Sequence, residues 1–120
     1  MQNLHKTAQS LKERFGLIEI CGYEAIDQAG DYLVFDGLES NDDLSDTAIF
    51  SIAVARHSLN ADKDGLLEKL DELRLAVFRF GAANAPQKIL SSVKTAFVSN
   101  TLYIARVVLK IQISPEIDEF

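Results

Sequence analysis

Between Thr47 and Ile113 the apolar residues change period twice, from two to about 3.6 and back to two, and no other feature limits the fold as strongly. From Thr47 to Ser58, Phe50, Ile52 and Val54 share one face, while Ile49, Ser51, Ala53 and Ala55 share the other. Such alternation predicts a strand, and its small-residue face suits close cover by a helix or another subunit. Leu66, Leu70, Leu73, Val77 and Phe80 then follow the helical period, with Leu67 and Phe78 widening the stripe. The main helix is expected over 62–80, ended by Gly81, with a loop from Ala82 to Gln87 around Pro86. A long hairpin over 88–113 follows, turning at Ser99-Asn100, where Asn tolerates positive φ. In its second arm Tyr103, Ala105, Val107, Leu109, Ile111 and Ile113 mark the core face. Arg106, Lys110 and Gln112, alternating with Leu102, Ile104 and Val108, mark a half-wet one.

Upstream, Leu4, Ala8, Leu11 and Phe15 lie at helical spacing, predicting a helix over 1–15 that Gly16 can close in the left-handed conformation. Leu17 to Cys21 reads as a short strand, and Tyr32 to Phe35 as another, set between Ala29-Gly30-Asp31 and Asp36-Gly37. The polar run 39–46 reads as a solvated acidic loop, the longest in the chain. Pro115 has no N–H to donate and ends pairing before a short acidic tail over 115–120. Together these elements predict one α+β domain over 1–120: a mixed, largely antiparallel sheet of about four to five strands, packed by two helices and closed by a long C-terminal β-hairpin.

With 120 residues, 48% of them hydrophobic, the chain is long enough for one core without metal or disulfide staples. Eighteen acidic residues against twelve basic give a net charge of −6, a field that repels phosphate backbones. Lys6, Lys12 and Arg14, mixed with Glu13, are too few to overrule it locally, so no direct nucleic-acid partner is expected. Cys21 is the single cysteine, which excludes an internal disulfide or a thiolate metal site and fits a reducing cytoplasm. Flanked by Ile20 and Gly22, it reads as a small buried hydrophobe. Met1 to Phe15 lacks the pattern of a secretory signal, and the richest apolar window, Leu102 to Leu109, is broken by Arg106, so no membrane association is expected.

Asn60, Asp62, Asp64, Gly65 and Asp71 resemble the oxygen-ligand spacing of an EF-hand calcium loop. Asn60 stands where Asp is usual, Asp71 where a chelating Glu is usual, and a strand precedes the segment instead of an entering helix. The simpler reading is a polar turn in which Asn60 or Asp62 caps the main helix. Asp36, Glu39, Asp42, Asp43 and Asp46 offer carboxylates for a hard cation or a basic partner, or only a solvated loop. His57 and His5 have no partner recognisable in sequence, and no Gly-x-Ser-x-Gly, phosphate-binding glycine loop or metal-spaced His pair occurs. No catalytic, cofactor or metal residue is therefore assigned, and a non-enzymatic role is expected.

Three segments, Phe50-Ser-Ile-Ala-Val-Ala-Arg-His-Ser58, Gly65-Leu-Leu-Glu-Lys-Leu-Asp-Glu-Leu-Arg74 and Leu102-Tyr-Ile-Ala-Arg-Val-Val-Leu109, resemble the tail terminator family of Mu-like phages and prophages. The likeness covers about half the chain, in its central and C-terminal parts. It implies an α/β subunit that closes into a hexameric ring at the head-proximal end of the tail tube, stops tube polymerisation and readies the tail to join the head. Tail-tube and head-completion proteins would be its partners, in the host cytoplasm and then in the virion. A closed ring needs two different complementary patches per subunit, and the half-wet hairpin face and the small-residue face of the 47–58 strand are the candidates. The alternative is a small cytoplasmic adaptor or calcium-binding domain using Asn60, Asp62, Asp64 and Asp71; a hydrolase using His57 would need a cleft.

Overall fold

The computed structural model of the chain describes residues 4–40, 46–59, 65–84, 89–99 and 102–113. They form helix α1 (Leu4–Phe15), strand β1 (Ile18–Ile20), a 3-10 turn (Tyr23–Ala25), strands β2 (Gly30–Ser40) and β3 (Asp46–Arg56), helix α2 (Leu66–Asn84), and strands β4 (Leu90–Ser99) and β5 (Leu102–Ile113). The five strands make one sheet in the order β1-β2-β3-β5-β4, parallel between β1 and β2 and antiparallel elsewhere. This is the mixed, mainly antiparallel α+β arrangement the periodicity predicts, with β4 and β5 as the C-terminal hairpin.

Both helices lie on one face, where Leu11, Leu66, Leu70, Leu73, Val77 and Phe80 meet Leu33, Phe50, Ile52, Val54, Val107 and Leu109 in the main core. Helix α1 ends as predicted: Gly16 takes φ of 64°, and the Leu17 amide donates to the Lys12 carbonyl at 3.1 Å, the long bond of a Schellman motif. The Phe15 and Phe80 rings, with centroids 5.7 Å apart, pack α1 against α2.

On the opposite face the segment after β1 folds back over the sheet. Ile26, Tyr32, Ala53, Ala55, Leu102 and Ile104 form a second buried cluster there, joined by the half-buried Ile20 and Tyr23. The small-residue face of β3 is thus covered by the chain itself, which removes it as an inter-subunit patch, whereas the hairpin face expected to be half-wet is so, buried at Leu102 and Ile104, half-buried at Arg106, Val108 and Gln112 and exposed at Lys110. Tyr103, at core parity, is exposed.

Four other expectations are corrected. Glu39 and Asp46 of the predicted acidic loop lie in paired strands, because β2 continues through a bulge between Phe35 and Gly37 and pairs with β3 as far as Ser40 and Asp46; Asp42 and Asp43 lie outside the described residues. Leu67 and Phe78 point to solvent, Phe78 with 73% exposure, so α2 is narrower in its buried stripe than predicted. Cys21 is exposed. The α2 helix begins at Leu66, against the expected start at 62, and runs through Gly81 to Asn84.

Gly81 is a site of close approach: a Cβ there would sit 3.4 Å from Cδ1 of Ile89, the residue that leads into β4. Interior glycine costs a helix about 1 kcal/mol relative to alanine, and a 3.4 Å contact with a side-chain end is tolerable. Gly81→Ala is therefore expected to raise stability by about 0.5 kcal/mol and Gly81→Val to lower it, measured by urea unfolding.

Candidate functional site

The polar residues that the fold does bring together lie where β2 begins and β3 ends. Asp31 accepts an ion pair from Arg56 Nη2 at 2.9 Å and from Lys69 Nζ of α2 at 3.4 Å. Arg56 Nη1 donates to the carbonyls of Gly30 at 3.1 Å and Ala55 at 2.9 Å. One guanidinium thus closes the β2–β3 ladder, and the carboxylate it holds tethers α2 to the sheet. A cavity of about 190 Å³ beside this network is lined by Asp31, Lys69, Glu72 and Leu73 among others. Asp31 and Lys69 in its wall are already paired with each other, which suits structural fastening better than turnover. The Arg of the Ala55-Arg56 pair that carries part of the family resemblance therefore has a folding role in this chain.

A second pairing sits on the β2 bulge. Gly37 takes φ of 149°, a conformation that favours glycine, and the extra residue Asp36 turns its carboxylate onto the fully buried Ser51 hydroxyl, which donates to it. Asp36 is thereby occupied with β3, and among the described residues no group of three His, Cys, Asp or Glu side chains is placed to hold a metal.

Of the calcium-like positions, Asn60, Asp62 and Asp64 lie outside the described residues, while Asp71 is on the exposed side of α2, 3.6 Å from Arg74. The first α2 donors are met by main chain: the Leu66 and Leu67 amides donate to the carbonyls of Ser58 and Leu59 at 2.9 and 3.1 Å. His57 lies just after β3 beside Arg56 and Ser58 around a shallow depression, and His5 lies on exposed α1 surface. The structure does not bring the two histidines to one site.

The sheet also has open edges among the described residues. Strand β4 borders only β5, and β1 covers β2 only at Tyr32–Val34, which leaves residues 35–40 of β2 without a neighbour on that side among the described residues. Sequence reading missed both edges and the Asp31 network, because period reports which face is apolar and says nothing of which strand is last. Among the described residues no helix is long and apolar enough to cross a membrane. No protein-family model matches the chain, and no curated protein or solved structure matches it significantly.

Proposed function

We propose that the chain is a non-catalytic subunit that assembles with copies of itself into a closed ring, of the kind that caps the head-proximal end of a phage tail tube and stops its growth. The observation that carries this reading is the pair of unlike open edges at opposite sides of the sheet, since a head-to-tail ring requires two different surfaces on each subunit. The exposed Leu67, Leu75 and Phe78 along the outer side of α2 add apolar surface for contact with a further protein, such as a tail-tube or head-completion partner. In this reading the protein acts in the host cytoplasm before joining the virion, and its resemblance to Mu-like tail terminators supplies the ring's place in the particle.

Ring closure is a mass-action event, so light scattering behind size exclusion, run across protein concentration, tests it directly. Six subunits of 13.3 kDa give a particle of about 80 kDa, the expected mass at high concentration. A chain that stays at its monomer mass throughout overturns the reading.

A further inference from the structure

The two open edges match each other face by face. On the helix-bearing face, the free half of β2 presents Phe35 and Leu38, in register with Phe50 and Ala48 and 48% and 47% exposed. On that same face the edge of β4 presents Val93, in register with Val107 and 38% exposed, and the exposed Thr95. On the opposite face, the free half of β2 carries Asp36 and Glu39, both exposed, and β4 carries exposed Lys94, in register with Arg106. If two copies are set edge to edge so that their faces run on, Val93 and Thr95 meet the apolar Phe35 and Leu38 on one side and acid meets base on the other. Two β4 edges, or two β2 edges, set against each other would instead oppose lysine to lysine or carboxylate to carboxylate.

Resting on the ring reading above, we infer that a second copy of this chain is the partner of each edge: β4 of one subunit adds as a strand along residues 35–40 of β2 in the next, and the sheet continues around the ring. Main-chain N–H and C=O groups supply the affinity in such strand addition, and the side chains at alternate positions supply the choice of partner. Lys94 and the bulges near both ends of β4 are also devices that shield an edge from pairing. Shielding, however, gives no reason for an acid-bearing, apolar edge of matching facial order on the same molecule. The contact is heterologous, so each subunit offers one edge and receives the other, which is the condition for closure.

Charge reversal tests the pairing. Lys94→Glu alone and Glu39→Lys alone each place like charges at every junction and are expected to weaken assembly roughly tenfold or more. Mixing the two variants restores a good junction at every contact when they alternate, and the double variant Lys94→Glu/Glu39→Lys restores it within one chain. Both are expected to recover the wild-type mass by light scattering. Each variant is checked by circular dichroism for an unchanged melting curve, since both positions are exposed.

Disulfide trapping gives a second readout that is independent of charge. In a Cys21→Ser background, Leu38→Cys and Val93→Cys stand on β2 and β4, three strand spacings or about 14 Å apart across the sheet and offset by four residues along it within one chain, well beyond disulfide reach. Oxidation is expected to give a ladder of covalent oligomers from the double-cysteine chain and none beyond dimers from either single one. A wild-type ring whose mass is unchanged in both charge variants, with no ladder, overturns the edge pairing and leaves the ring reading standing. A wild-type chain that is monomeric throughout overturns both.

Discussion

Phe50→Ala is expected to lower the free energy of unfolding by about 4 kcal/mol, and Phe50→Leu by about 1–1.5 kcal/mol. Among the described residues Phe50 is the largest side chain with essentially no solvent exposure, set in the middle strand of the sheet with Leu109 as its cross-strand neighbour. Its other cross-strand neighbour is Phe35, whose ring lies 5.3 Å away at an interplanar angle of 56°, a tilted aromatic contact that adds to the area term. Truncation removes the ring contacts and leaves a void that a sheet held on both sides by hydrogen-bonded neighbours closes poorly. Since small domains have only about 5–15 kcal/mol in all, a large fraction of the stability depends on this ring. The urea midpoint should fall with little change in slope. A loss below about 1.5 kcal/mol would show that the sheet end under Phe35 is not packed as described. Phe35 itself is half out of the core, so Phe35→Ala should cost clearly less stability than Phe50→Ala.

Why some elements were legible and others were not follows from what periodicity measures. The spacing of Leu4, Ala8, Leu11 and Phe15 and the alternation of Phe50, Ile52 and Val54 each identify an apolar face, and the main core is built from those residues. Periodicity does not reveal what covers a face. Ala53 and Ala55 look like a docking surface until the segment around Tyr23 and Ile26, which has no period of its own, is found lying on them. Leu67 and Phe78 look like core until α2 is found to touch the sheet along a single line of side chains. Strand β2 seemed to stop at Phe35 because Asp36, Gly37, Glu39 and Ser40 have low strand propensity. Its extension is imposed by pairing with β3, a tertiary term that local propensity does not contain. The same holds for the candidate interface: an edge is defined by the neighbour it lacks, and strand order is not written in any single strand.

Arg56→Ala is expected to cost about 2–3 kcal/mol, whereas Lys69→Met should cost less than about 1 kcal/mol, although both cations contact the same carboxylate. The difference lies in geometry. Arg56 holds Asp31 at 2.9 Å and also satisfies the Gly30 and Ala55 carbonyls, so its removal unpairs a mostly buried anion and two main-chain acceptors at once. Lys69 reaches Asp31 at 3.4 Å from a more exposed position and, when lost, leaves the Arg56 pair intact. Arg56→Lys should retain less than half of the stabilisation, because an ammonium cannot serve the carboxylate and both carbonyls in the directions the planar guanidinium does. A double-mutant cycle of Arg56→Ala with Asp31→Ala, followed by urea unfolding, isolates the pair and should return a coupling above about 1 kcal/mol that falls little with added salt. Coupling near zero would mean that the network is solvated surface charge and that α2 is held to the sheet by its apolar side chains, Leu66, Leu70, Leu73, Val77 and Phe80.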